Sequence, residues 1–252
     1  GINMRVGYFP FKPGGNPYQT LFADAIQRGG HQVTRIPPSK WFPLQKASLA
    51  KVDLLQLDWP HDWYRGKSAF TRFLKQLMYV DGLRKIKKIP VVWTAHNLVA
   101  HDSENIAFEQ AMIQKLIDVT DGIIVMSERA KKQLEGMYTL PASTIVSVIP
   151  HGHYMDVYPN VVRREEARHH LAIPSDVKVA LSLGRLLPYK GIEELIVGFS
   201  RANVENSLLL VAGSCTSLEY SEHLLSMARQ YSSANAEIRV VALSLIHISE
   251  PT

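Results

Sequence analysis

The segment Leu181-Ser182-Leu183-Gly184-Arg185-Leu186-Leu187-Pro188-Tyr189-Lys190-Gly191 sets two cations between two glycines, where a β-rich run passes into a helical one. A strand, a short loop and a helix in that order hold the loop at the carboxyl edge of a sheet, where open α/β folds bind ligands. The helix start offers free N–H groups and the positive end of its dipole, and Arg185 and Lys190 add fixed charge. Together they suit a diphosphate whose negative charge grows as it leaves. By spacing alone, two solvated surface cations beside a turn glycine is the better reading, because Arg-x4-Lys is common. The neighbouring sequence has to decide.

Other reactive residues also sit at expected strand ends. His96 and Asn97 follow Trp93-Thr94-Ala95, and from local sequence His96 reads as a satisfied strand-end histidine in a packed cleft. Gly14 and Gly15 would let backbone amides approach a ligand closely, or form an ordinary Pro-Gly-Gly turn. Asp58 follows a third strand in Leu57-Asp58-Trp59-Pro60-His61-Asp62-Trp63; with His61 and Asp62 it reads as a polar loop that lines a cleft at most. His151, in a Pro-His-Gly-His turn, is a further cleft candidate. Asp102 and Glu104 stand too close to a helix start to be a glycosidase pair, and capping by Ser103 is the simpler account. His151/His153 and His169/His170 lack cysteine or carboxylate partners at metal-ligand spacing, so no metal is expected.

These residues need strands to place them. Strands are expected at Arg5–Phe9, Gln32–Ile36, Val52–Leu57, Pro90–Thr94, Gly122–Met126 and Thr144–Ile149. Helices are expected near Pro17–Arg28, Ser68–Val80, Glu104–Val119 and Glu128–Met137. Buried Val/Ile-rich strands alternating with helices predict βαβ units and a parallel sheet covered on both faces. The pattern restarts after Pro159: strands at Val177–Leu183, Ser207–Ala212 and Glu237–Ala242 alternate with helices at Ile192–Phe199 and Tyr220–Tyr231. The expected organisation is therefore a complete Rossmann-like domain over 1–160 and half of a second over 161–242. Residues 243–252 are similar to a translated sequencing-adapter end and are expected to be non-native, as are residues 1–3.

Composition is that of an ordinary globular chain: 252 residues, 46% hydrophobic, 20% charged, which disfavours disorder and coiled coil. One cysteine precludes an internal disulfide. No apolar run reaches the roughly 18 residues of a membrane span, and Met4 opens straight into a strand-like run without a signal-peptide pattern. The net charge of +5 is local. Between Arg65 and Lys88 stand eight basic residues and one acid, Asp81. There Phe70, Phe73, Leu74, Leu77 and Met78 recur at helical spacing, so the stretch is either core with a solvated basic rim or a surface for an anionic membrane.

The ordered set of motifs resembles the family 4 glycosyltransferases, retaining enzymes of two-Rossmann GT-B fold. Gly184-Arg185-x4-Lys190-Gly191 is similar to their donor-diphosphate motif, Phe9–Phe22 to their glycine-rich loop, and Trp93–Asn97 to their strand-end histidine. Asp121–Ser127 is similar to their Asp-x-hydrophobic-Ser strand, and Ile149–Tyr154 to their interdomain turn. The resemblance implies that Arg185 and Lys190 stabilise a leaving nucleoside diphosphate, that Gly14 and Gly15 face the donor, and that His96 sits at the sugar. It implies hexose transfer from a GDP- or UDP-sugar to a glycan or lipid-linked acceptor in surface polysaccharide synthesis, without a bound metal or other cofactor. It also implies a cytoplasmic site, peripheral at the inner face of the membrane. The family's Glu-x7-Glu pair is missing downstream of Gly213, so this chain is expected to bind nucleoside diphosphate weakly and turn over little. An epimerase-like relative and a basic nucleic-acid-binding protein are the alternatives; the second lacks a stacking platform, so no nucleic acid is expected.

Overall fold

The computed structural model describes residues 3–244 except 13, 15, 100–104 and 156. The chain divides into two compact units, residues 1–159 and 160–252. In the first, β1 (Arg5–Phe9), α1 (Tyr18–Arg28), β2 (Gln32–Arg35), α2 (Pro43–Ser48), β3 (Leu54–Leu57), α3 (Ala69–Ile86), β4 (Val91–Thr94), α4 (Ile106–Ile117), β5 (Gly122–Val125), α5 (Glu128–Met137) and β6 (Ile145–Val148) follow in order. The sheet is parallel, in the order β2-β1-β3-β4-β5-β6. Strand order reverses between β1 and β3, which makes their carboxyl ends the topological switch point where such sheets bind ligands.

Local chemistry fixes the helix starts. Ser68 and Thr71 form a reciprocal capping box at α3, and Asn105 and Ser127 accept from the first free N–H groups of α4 and α5. The expected Ser103 cap lies outside the described residues. Leu55, Leu57, Val91, Trp93, Ile123 and Val125 fill the core, sealed by Tyr79, Leu83 and Ile86 of α3 and by Ile113, Leu116 and Ile117 of α4.

The basic stretch lies largely on α3, whose two halves are buried unequally. The helix buries its second half, whereas Phe70, Phe73 and Leu77 stand 69%, 58% and 53% exposed beside Lys67 and Arg72. These three are not core. No helix among the described residues is long and apolar enough to cross a membrane.

At the opposite end of the sheet Arg5 clamps the loop before β3. Its backbone N–H and guanidinium donate to Asp53 at 2.8, 3.1 and 2.7 Å, and these bonds hold the Asp53 carboxyl at about 2, below its ordinary 3.8. A carboxylate lowered on folding stabilises the fold above its unfolded value and loses that contribution as pH falls through its folded one. Asp53→Asn is therefore expected to be less stable than wild type at neutral pH, and the two to converge as pH falls from about 4 to about 2. Chemical denaturation across that window checks it; a constant gap contradicts it.

The second unit contains α6 (Arg164–His170), β7 (Lys178–Leu183), α7 (Ile192–Ala202), β8 (Ser207–Cys215), α8 (Leu218–Tyr231) and β9 (Ala236–Ser244), with a parallel sheet ordered β7-β8-β9. Leu209, Val211, Ile238 and Val240 pack against Ile192 and Ile196 of α7 and Leu224 of α8. On β7, Leu181 and Leu183 stand 59% and 77% exposed, an alternation that places both on one face. β9 differs from its expected end at Ala242. The ladder to β8 continues through Leu243 and Ser244, opposite Ser214 and Cys215. The remaining residues of the expected tail, 245–252, lie outside the described residues.

Candidate active site

In the first unit the switch point carries a buried carboxylate. Asp58, directly after β3, is 0% exposed. Its Oδ2 accepts from the Tyr8 hydroxyl at 2.6 Å and the Gln19 amide at 3.2 Å, and its Oδ1 lies 3.2 Å from His96 Nε2. Three elements build the cluster: Tyr8 comes from β1, Gln19 from the first turn of α1, and His96 from the segment after β4. Gln19 also donates to the carbonyl of Pro10 at 2.6 Å, which ties α1 to the end of β1. Burial, then the Asp58 charge, pushes the Tyr8 and Tyr18 hydroxyls well above their ordinary value, so both stay protonated.

Aromatic rings fix the histidine. His96 stacks on Trp59 with centroids 4.6 Å apart and 18° between planes, and meets the edge of Tyr18 at 4.9 Å. Trp59 adopts a left-handed backbone (φ 40°, ψ 68°), which costs a non-glycine residue about 1–3 kcal/mol and persists only where the surroundings enforce it. Tyr18 passes the ring contacts to His151 at 5.2 Å, and Tyr154 joins His151 to Asn16 through its hydroxyl.

His96, Asp58 and His151 thus belong to one cluster. Asp58, however, does not line a cleft. The polar-loop reading fails because the carboxylate turns inward to three partners, so it positions His96. Asn97 is half-buried beside it and makes no hydrogen bond among the described residues. Gly14 sits at φ +98°, a backbone conformation that favours glycine; Gly15 lies outside the described residues, as do Asp102 and Glu104. His61 is also drawn inward. It lies 2.9 Å from the Tyr64 hydroxyl and 3.2 Å from Glu109, a buried carboxylate of α4 that also accepts from Arg65 at 2.6 Å. No group of three or more histidine, cysteine or acidic side chains is arranged to hold a metal among the described residues.

In the second unit, the loop after β7 turns at Gly184 (φ +152°), anchors through buried Leu186, makes a short 3-10 turn over Pro188–Lys190, and enters α7 from Gly191 (φ +69°). The Gly184 N–H donates to Ala212 at 3.0 Å and that of Leu186 to Ser214 at 2.9 Å. Gly213 lies between them, and a Cβ there would stand 1.5 Å from the Gly184 carbonyl oxygen, so only glycine fits. Arg185 and Lys190 are both exposed, and the Lys190 ammonium lies 5.1 Å from the Tyr189 ring centroid. In the first turn of α7, Glu193 accepts from the Tyr220 hydroxyl at 2.8 Å.

No family model matches the chain. It is 27% identical over 184 residues to the GDP-mannose:glycolipid 4-beta-D-mannosyltransferase of Xanthomonas campestris pv. campestris, a match covering 72% of this chain and 45% of that enzyme. The chain thus spans under half the length of that relative. Among solved structures, sucrose-phosphate synthase from Thermosynechococcus elongatus aligns over 95% of this chain and 71% of its own, with TM-score 0.60 and 14% identity. Anabaena HepE in complex with UDP-glucose aligns over 95% and 69%, with TM-score 0.57 and 13% identity. The chain is thus similar in sequence to part of a curated mannosyltransferase, and its fold is of the GT-B type seen in these solved structures.

Proposed function

We propose that the chain carries out part or all of a retaining hexosyl transfer, from a GDP- or UDP-linked sugar to a glycan or lipid-linked acceptor, in the synthesis of a surface polysaccharide. The observation that carries this reading is the loop from Gly184 to Gly191, whose two cations flank the start of a helix at the carboxyl end of β7. Exposed N–H groups, helix dipole and two fixed positive charges favour an anion that gains charge during the reaction. The relative's printed donor, GDP-mannose, is of that class. His96, oriented by Asp58, would contact the transferred sugar, and no metal enters the scheme. Calorimetric titration of the 252-residue chain with UDP and with GDP tests it. Saturable binding that weakens with added salt is expected; absence of binding to either nucleotide overturns it.

The exposed stripe of α3 supports a membrane-surface role. Phe70, Phe73 and Leu77 would enter the headgroup boundary while Lys67, Arg72 and the Arg84–Lys88 run meet anionic lipid. Co-sedimentation with anionic liposomes is expected and should disappear at high salt. Phe73→Ser should weaken it about tenfold, the equivalent of one buried aromatic side chain. Equal sedimentation with neutral vesicles contradicts the electrostatic part.

A further inference from the structure

Buried carboxylates stand on both sides of the short turn that carries Trp59. Asp58 holds His96 on one side, and Glu109 of α4, its side chain 4% exposed, holds His61 on the other. The Tyr64 hydroxyl donates to Glu109 Oε2 at 2.7 Å, and Arg65 Nε donates to Oε1 at 2.6 Å. Burial, then the bond to Glu109, pushes the Tyr64 hydroxyl well above its ordinary value, so its proton stays in that bond. His61 Nδ1 lies 2.9 Å from the same hydroxyl oxygen and 3.2 Å from Glu109 Oε2. With the Tyr64 proton committed to Glu109, both neighbours of Nδ1 are acceptors. His61 therefore carries a hydrogen on Nδ1 and donates it to them.

We infer that His61 is a positioning residue: through Glu109 it fixes the turn at Trp59, and through Trp59 the plane of His96. The inference rests on the transfer reading above for what His96 touches, and adds the residue that orients it. Asp58 meets His96 only at Nε2, which sets one point of the imidazole and leaves its plane free to turn. The second constraint is the Trp59 indole, stacked at 4.6 Å and 18°. Trp59 holds a left-handed backbone (φ 40°) that persists only where both flanks enforce it. Before it, the Asp58 N–H donates to the Phe9 carbonyl at 3.0 Å. After it, the turn Pro60–Trp63 is tied at its far end, where the Asp62 carbonyl accepts from Lys75 Nζ and Trp63 packs on Phe9. His61 is the polar hold nearest to Trp59 on that side, with Pro60 alone between them.

Proton NMR of the imidazole rings in the 252-residue chain reads the stack directly, because the indole face shifts protons above it upfield. A Trp59→Ala chain supplies the unstacked reference. His61→Ala is expected to move the His96 ring protons at least half-way to that reference. His61→Asn, whose amide nitrogen falls near the Nδ1 position and can donate, should leave them at wild-type values. Tyr64 and Arg65 keep Glu109 in every case, so the Tm of His61→Ala should fall by a few degrees only. Should that variant not fold, His61→Gln takes its place: it keeps the side-chain volume, carries its amide past the Nδ1 position, and should shift His96 equally. Unmoved His96 protons without the Nδ1 donor, or a shift in His61→Asn as large as in His61→Ala, overturns the inference. UDP and GDP titration reads the other unit and should be unchanged in each His61 variant. A chain that binds neither nucleotide yet shows the His96 response counts against the transfer reading, whereas intact nucleotide binding without that response counts against His61 alone.

Discussion

Asp58→Ala is expected to lower the stability of the first unit by about 3–5 kcal/mol, a fall in Tm of roughly 6–20 °C. The carboxylate has no exposed surface and meets partners from a strand, a helix and the segment after β4. Its removal leaves the buried Tyr8 hydroxyl without an acceptor and opens a void at the switch point. Gln19 suffers less, because its amide keeps the Pro10 carbonyl. Asp58→Asn separates shape from charge. An asparagine oxygen can still accept from Tyr8, so less than half of the alanine cost is expected. Its amide then faces His96 Nε2, which must accept and so move the ring proton to Nδ1. Imidazole nitrogen shifts in an NMR spectrum report that change of tautomer. An alanine variant that loses no more than an exposed substitution, about 0.5 kcal/mol, would rule out the network.

The same pair shows what the sequence can and cannot reveal. Strand and helix patterns are local, so β1, α5 and the start of α7 are legible from alternation, helical period and turn glycines. Cap chemistry marks α3, α5 and α8 equally well. Asp58 is different. Its partners lie 50, 39 and 38 positions away, and nothing in Leu57–Trp63 signals that the carboxylate turns inward. Only the parallel register of β1, β3 and β4 brings Tyr8, Asp58 and His96 to one edge. Trp59 and Tyr18 are missed for the same reason. The one local hint is an α1 start, Tyr18-Gln19, directly after a glycine loop. α3 fails differently: one amphipathic period covers residues of both fates, because α2 and α4 cover its second half and leave Phe70 and Phe73 bare. Glu109 reads as an ordinary helix-surface acid until tertiary packing buries it under Tyr64 and Arg65.

Arg185→Ala is expected to weaken UDP and GDP binding by the 252-residue chain roughly ten- to hundredfold, the loss of one to two charge-assisted hydrogen bonds. Lys190→Ala should cost less, since a lysine offers a point charge where arginine offers a planar fork, and for that reason Arg185→Lys should not restore full affinity. Stability is a clean control. Both side chains are exposed and support nothing in the core of Leu209, Val211 and Ile196, so Tm should stay within the range of surface substitutions. The acids at the start of α7 sharpen the test. Tyr220 holds Glu193 at 2.8 Å, whereas Glu194 is exposed in the same first turn and opposes a bound anion. Glu194→Gln should therefore tighten nucleotide binding by a few-fold while Arg185→Ala loosens it, and both effects should shrink as salt rises. Affinity indifferent to both substitutions would mean that the phosphates bind elsewhere, because no arrangement that uses the α7 N-terminus can ignore a charge on each side of it.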